Sequence, residues 1–497
     1  MTSQRSTFAG VLAAAAAIAA SEGLSALFNL RESPILAVGQ SVIRLTPGPM
    51  AEAIIGVVGH ADKPLAVASV VVAVLLLGAL AGRSWPRPQA YVLVAALVAL
   101  ASSAVLSRPH GDADSVLVCV AAGGVVIGVL HLLRDRAHLT VDESRRTFIR
   151  TSAIIAIATI VVGSAGEVLA SRHRRRQAIE RVREALKIPT RRVPVPAGAD
   201  LAVKGQGPWL TSNRDFYRID TALTPPLVDP ATWSLRIHGM VDKELTLTYQ
   251  DLLDRGLQQE WVTICCVSNP VGGNLIGNTL WGGVPIKGIL DEIGIQPGAD
   301  ALLSRSDDGW TCGTPLAALT DGRNAMLALT MDGEPLPIPH GFPVRQVVPG
   351  LYGYVSATKW VVDWEVTRFA DFKAYWTQRG WGERGPVKTQ SRIDVPHNGQ
   401  TLEAGTTTIA GVAWAQHVGV KGVEVRVDGG AWQEATLGTV PNVDTWVQWR
   451  LDWTADAGDH TIEARATNAD GKPQTVERAD VLPDGATGYP KISVKVS

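Results

Sequence analysis

Apolar positions are spread very unevenly along the chain. Up to about Ala170 they form unbroken stretches of spanning length, at Phe8 to Leu30, Leu65 to Gly82, Tyr91 to Ser107, Val116 to Leu133 and Thr151 to Ala170. About twenty apolar residues cross a hydrocarbon core as a helix, so the pattern predicts a membrane domain over 1–170 with about five transmembrane helices. The stretch Pro34 to His60 carries Pro34, Arg44, Pro47, Pro49 and Glu52 and reads as an interfacial or re-entrant segment. Residues 171–207 are basic, then contain Pro189, Pro194 and Pro196, as a juxtamembrane helix and linker would. Beyond Trp209 the period changes. Short β-rich runs such as Trp233 to Gly239 and Trp360 to Val366 alternate with turns, and helices are expected at Tyr249 to Arg255, Ile286 to Ile293 and Pro315 to Leu319. This predicts a mixed α+β domain over 208–385. From 386 to 497, period-two strands at Thr406 to Trp414, Gly422 to Val427, Val447 to Trp453 and His460 to Thr467, with Asp428-Gly429-Gly430 as a hairpin turn, predict an immunoglobulin-like β-sandwich without its disulfide.

The balance of 46 Lys and Arg against 47 Asp and Glu averages two unlike halves. With no basic stripe interleaved with aromatics, it argues against nucleic acid. The four cysteines, Cys119, Cys265, Cys266 and Cys312, are no disulfide framework. Arginines sort by side of the membrane. With the N-terminus inside, Arg5, Arg83, Arg87, Arg134, Arg136, Arg145, Arg146 and Arg150 fall on inner loops, whereas outer loops before the last span hold Arg31, Arg44, Lys63 and Arg108. That bias predicts a multi-pass protein of the cell membrane with its polar half outside the cell. The basic run Arg172 to Arg176 argues the other way. Ser144-Arg145-Arg146-Thr147-Phe148-Ile149 resembles a twin-arginine export signal, although two arginines before a span also serve simply to anchor it. His60, His110, His131 and His138 sit near span ends and do not pair as bis-His haem ligation requires.

Candidate chemistry begins at Thr263-Ile264-Cys265-Cys266-Val267-Ser268-Asn269-Pro270, which puts a thiol on a loop after a β-rich run. A lone Cys is more often a small buried hydrophobe, and Cys312 reads that way. Further on, His340-Gly341-Phe342-Pro343-Val344-Arg345, then Val348-Pro349-Gly350 and Thr358-Lys359-Trp360, offer cations among glycines and prolines where a phosphate could be held. In order with Phe216-Tyr217-Arg218, Trp233-Ser234-Leu235 and Trp281-Gly282-Gly283-Val284-Pro285, these blocks resemble the sulfite oxidase family of molybdopterin enzymes, from Trp209 to the C-terminus.

The resemblance implies Mo-molybdopterin as cofactor, with Cys266 as the metal's thiolate ligand. It implies cofactor contacts from Tyr217, Arg218, Ser268, Asn269, His340, Arg345, Thr358 and Lys359, with Arg218 on the substrate side. It also implies dimerisation through the C-terminal module and a separate electron carrier. Alternation along a strand lets only one of the adjacent thiols face the metal; the family register selects Cys266 and leaves Cys265 in the core. The departures concern the substrate. Pro270 and Val271 follow the Cys run where sulfite oxidases have arginines, Trp381 stands where they have a catalytic tyrosine, and apolar residues around Leu482 replace another arginine.

The expected function is therefore membrane-anchored oxygen-atom transfer on a small substrate at an extracytoplasmic site, with Arg218, Cys266 and Trp381 as catalytic candidates and sulfite a poor fit. Two alternatives are a sulfoxide reductase similar to periplasmic methionine sulfoxide reductase, and a non-catalytic membrane-anchored scaffold.

Overall fold

The computed structural model describes residues 3–48, 50, 62–135, 141–164 and 166–497. The chain forms two compact units, a helical one of Met1–Glu180 with the strap Thr221–Leu227, and a second of Arg181–Asp220 with Val228–Ser497.

The helical unit contains α1 (Ser3–Leu27), α2 (Pro34–Leu45), α3 (Asp62–Ser84), α4 (Pro88–Leu106), α5 (Ala113–Asp135), α6 (Val141–Ser164) and α7 (Gly166–Ala185). Among the described residues α1, α3, α4 and α5 are long and apolar enough to cross a membrane. The fifth expected stretch, Thr151 to Ala170, falls across the end of α6 and the start of α7. Most of its side chains, Glu167 included, lie outside the described residues, as does the Arg145 side chain. Of the expected interfacial segment, α2 is described and 51–60 are not. Small residues let the spans approach closely. A Cβ on Gly10 of α1 would lie 2.1 Å from the Gly78 carbonyl oxygen of α3, and one on Gly78 would lie 2.5 Å from Ala14 Cβ.

In the second unit the α+β domain is built on two sheets. One runs in the order Leu245–Thr248, Ser234–Gly239, Val361–Thr367, Ala301–Ser306, Thr311–Pro315. The other runs Gln258–Cys265, Ile276–Pro285, Met326–Met331, Glu334–Pro335, with Arg345–Val347 also paired to Met326–Met331. The expected helices form at Tyr249–Asp254 and Ile286–Ile293. The third is displaced to Ala317–Thr320, because Pro315 is held in a strand opposite Ala301.

Strands Gly405–Trp414, Val420–Val427, Val447–Ala455 and Gly458–Asn468 supply most of the sandwich, as their alternation predicts. Their inward residues, among them Ile409, Val425, Trp449 and Ile462, form a core without a disulfide. Each such side chain contributes about 1.5–3 kcal/mol of burial. The linker is not a free tether. Thr439 N–H donates to the Gly198 carbonyl (2.9 Å), Gln448 bonds Leu201 (2.7 Å) and Gly207 (2.8 Å), and the Trp209 and Trp446 indoles donate to each other's carbonyls at 3.2 and 2.9 Å. The sandwich also grips strand Gln258–Cys265 at Thr263, whose N–H donates to Asp444 (3.0 Å) and whose carbonyl accepts from Gln416 (3.1 Å).

Candidate active site

Strand Gln258–Cys265 pairs antiparallel with Ile276–Pro285 up to Cys265 opposite Ile276, so the residues between form a hairpin loop. Its ends are closed by Cys266 N–H donating to the Leu275 carbonyl (2.9 Å), and a turn returns Asn269 N–H to the Cys266 carbonyl (3.1 Å). Asn269 locks this shape: its Oδ1 accepts from Leu275 N–H (2.9 Å) and its Nδ2 approaches the Cys265 sulfur at 3.8 Å. The adjacent thiols take opposite sides. Cys265 is 2% exposed, whereas Cys266 is half-buried with its Sγ 3.0 Å from the Ser268 hydroxyl. Burial raises both thiols; at Cys266 the Ser268 contacts and the charge of Lys359 oppose the rise. Cys312 is fully buried and pushed up to about 11, an inert core thiol.

The second block is a cluster of cations. A short 3-10 turn, Ile338–His340, ends at Gly341 with φ +114, where a Cβ would press on Arg345 Cβ at 2.9 Å and on Lys359 Cα at 3.2 Å. Glycine is what lets this turn reach Lys359. Trp360 beside it has a left-handed φ of +49, a strained backbone that its buried indole holds by donating to the Ile338 carbonyl (2.9 Å). Arg345, 4% exposed, lies 4.8 Å over the Trp281 ring and donates to the His340 carbonyl (3.1 Å), yet its buried Nε has no acceptor. Phe216 sets its edge near Trp281 (5.7 Å) and His340 (5.8 Å) and stacks on Tyr217 (5.3 Å). Lys359 donates to Asp220 at 3.1 Å, and Arg218 Nε donates to the same carboxylate oxygen at 2.8 Å.

Arg218 and Lys359 thus share one carboxylate, Asp220, while Arg345 bonds a carbonyl. His340 adds no charge: burial, then the charges of Lys359 and Arg345, push it down to about 3. Burial likewise takes Lys359 down to about 8 and Arg345 to about 10. These shifts all favour losing positive charge, because burial outweighs what Asp220 returns to Lys359. Arg345 and Lys359 together, with an orphaned guanidinium N–H on Arg345, fit a phosphate dianion. The Tyr217 phenol, raised by burial and then by the Cys266 and Cys265 sulfurs, links this cluster to the thiol loop.

Two expected site residues are placed less directly. Thr358 is buried with its hydroxyl bonded to Ser304. Trp381 is 5% exposed among the rings of Tyr354 (6.0 Å) and Trp376 (6.4 Å), with its indole N–H unpaired, and no hydrogen bond or ring contact joins it to Cys266 among the described residues. Sequence reasoning missed Asp220, Tyr352 and Arg392. Asp220 is visible only as an acid two residues after Arg218. Tyr352 is within electrostatic reach of both thiols, and its phenol is raised mainly by burial. Arg392 donates to the Gly273 carbonyl of the thiol loop (3.4 Å) and is paired with Asp394.

Residues 222–376 match the oxidoreductase molybdopterin binding domain, and 390–464 match a bacterial Ig domain. An uncharacterized oxidoreductase of Bacillus subtilis, YuiH, is 30% identical over 170 residues, covering 34% of this chain and 82% of that protein. Human mitochondrial sulfite oxidase is 28% identical over 299 residues, 50% of this chain and 54% of its own length, so the chain spans about half of that relative. The sulfite oxidase of Arabidopsis thaliana is 25% identical, with 53% and 82% covered. The crystal structure of the sulfane dehydrogenase SoxCD from Paracoccus pantotrophus shares the fold, with a TM-score of 0.52 at 22% identity over 62% of this chain and 88% of that one.

Proposed function

Because the chain belongs to the sulfite oxidase family of molybdopterin-binding oxidoreductases, we propose that Cys266 ligates the metal, that His340, Arg345 and Lys359 hold the pterin phosphate, and that Arg218 faces the substrate. When bound, the cofactor supplies a molybdenum centre that exchanges an oxygen atom with the substrate while cycling between Mo(VI) and Mo(IV). The observation that carries the assignment is Arg345, a buried cation whose Nε has no acceptor. Such a group is costly in a protein that only scaffolds, and it becomes favourable when an anion completes it.

The remaining roles follow from the residues' own chemistry. Cys266 is kept protonated by burial, so ligation releases its proton and makes metal affinity rise with pH. Ser268 orients the sulfur through its hydroxyl, and Asn269 fixes the loop that presents it. Tyr217 stands between thiol and phosphate sites, Thr358 anchors the loop before Lys359 through Ser304, and Trp381 contributes to an apolar entrance.

The substrate is an uncharged sulfur or nitrogen oxide. Arg218, the cation left at the mouth, already spends its charge on Asp220, and Arg392 on Asp394. The apolar helices anchor the enzyme in the cell membrane, and the arginine bias favours the second unit outside, with the expected stretch Thr151 to Ala170 as the fifth and last crossing. Electrons pass to a separate carrier, and the sandwich pairs two copies.

Elemental analysis tests the assignment. The purified protein from a cofactor-replete host should hold about one molybdenum, Cys266→Ser should lose it while still folding, and Cys265→Ser should keep most of it. No molybdenum in the wild type would overturn the proposal, and the reverse order of the two variants would move the ligand to Cys265.

A further inference from the structure

Gln40 is 3% exposed, a buried amide on helix α2. Both ends of that amide are satisfied by one piece of chain: Nε2 donates to the Thr221 carbonyl (2.9 Å) and Oε1 accepts from the Leu223 N–H (3.1 Å). Lys63 of α3 donates to the carbonyl between them, Ala222 (2.7 Å), and Leu223 seats on α2 where a Cβ at Gly39 would come within 3.3 Å of its Cδ1. The pairing is favoured because a released Gln40 amide would lose two hydrogen bonds while staying buried. The strap then continues through Pro225 and Pro226, whose fixed φ makes it stiff.

The residue immediately before the strap is Asp220, the acid shared by Arg218 and Lys359. We propose that Gln40, assisted by Lys63, is a positioning residue for Arg218: the helical unit fixes the strap, and the strap fixes the carboxylate that aims the guanidinium. This gives the membrane helices a part in substrate binding beyond anchoring. Neighbouring Cα atoms are about 3.8 Å apart across a rigid trans peptide, so motion of Thr221 passes directly to Asp220. Asp220 is 7% exposed, whereas the Arg218 side chain is 38% exposed and has room to follow it. The inference rests on the reading that Arg218 faces the substrate.

The test uses the intact, cofactor-loaded protein in lipid nanodiscs, with amide hydrogen exchange and steady-state kinetics on a neutral sulfoxide. Gln40→Ala should raise exchange over 221–227 at least tenfold and carry the rise into 216–220, with the Cys266 loop unchanged. The KM should rise about three- to tenfold, as loss of two ordinary hydrogen bonds allows, while kcat and molybdenum content hold. Gln40→Met keeps most of the side chain's volume but neither hydrogen bond, and should behave as Gln40→Ala does. A rise in exchange that stops at Thr221, with KM unchanged, would make the clamp a mere anchor and overturn the proposal. If the wild type turns over no sulfoxide or N-oxide, the substrate reading fails by itself, and exchange over 216–220 still decides the coupling.

Discussion

Two groups of arginines in the second unit lie against tryptophan rings and are built to opposite rules. On the sandwich, Arg426 and Arg465 lie 4.6 and 4.3 Å from Trp432, and each has its own carboxylate, Glu463 at 2.6 Å and Glu424 at 2.8 Å. Arg345 sits at a similar 4.8 Å from Trp281 but is far more buried and bonds a carbonyl instead of an acid. The cation–π contact is common to both, so it explains neither difference. What separates them is charge balance against burial: the sandwich arginines each have a carboxylate, while Arg345 is buried with an unpaired Nε and no acid. Buried, incompletely matched charge marks where a ligand belongs, and matched, exposed charge marks ordinary surface.

The sharpest way to break that contrast is at the substrate mouth, where the cation is matched. A charge-assisted contact to a dianion contributes about 1.5–3 kcal/mol, so replacing two family arginines weakens sulfite by roughly two to four decades. Asp220 reduces the pull of Arg218 further. Sulfite oxidation measured with an artificial acceptor should therefore be weak, and slower than reduction or oxidation of an uncharged partner. A micromolar KM for sulfite with turnover above about 10 per second would show that other residues rebuild the anion pocket.

Next in size is Arg345→Met. Leaving the phosphate without its buried partner should cost about 3–5 kcal/mol of cofactor retention, read as molybdenum lost on dialysis. In cofactor-free protein the same change should be neutral or stabilising, because it removes an uncompensated charge. A lowered thermal midpoint of the cofactor-free variant would mean that Arg345 is already satisfied, and the comparison would collapse.

Periodicity made the strands and sandwich legible, and Ile286–Ile293 forms over the residues that its apolar spacing marks. The order of Cys266, His340, Arg345 and Lys359 likewise marked residues that carry chemistry, and the structure packs the turn at Gly341 against both Arg345 and Lys359. What stayed hidden depends on pairings across long chain separations. Asp220 acquires meaning only when Lys359 comes to it, and the linker reads as free until Gln448 and Trp446 are seen to hold it. Gln40 gave no signal, because its partners lie near Thr221 in the strap. The Pro315 to Leu319 expectation slipped because strand pairing at Ala301 outweighs local helix preference.

A smaller effect separates the regions by pH. His340 is held at about 3 against an ordinary 6.5, so the unfolded chain binds more protons between those values and stability rises with pH across that window. The penalty is complete below about 3 and gone above about 6.5. At pH 5 it amounts to about 2 kcal/mol for the cofactor-free protein, from roughly 1.4 kcal/mol per pH step. Comparing thermal midpoints at pH 7 and pH 5, His340→Gln should lose less than the wild type. Equal losses would show that His340 protonates freely in the folded state, and that the cluster is less starved of negative charge than its geometry implies.

The smallest effect is expected where matching is complete. Arg465 donates to Glu424 at 2.8 Å with side chains 26% and 28% exposed, so solvent screens the pair and leaves it worth about 0.2–1 kcal/mol. The Trp432 face adds about as much. Arg465→Ala should therefore lower the sandwich's stability by about 1–2 kcal/mol, partly through lost packing of the arginine stem on the ring, without touching molybdenum content or KM. Raising salt to 1 M should shrink the difference between variant and wild type, since it weakens the ion pair and spares the packing. A loss of cofactor in Arg465→Ala would show the two arginine groups to be coupled through the sandwich, and the division between completed and awaiting charge would no longer hold.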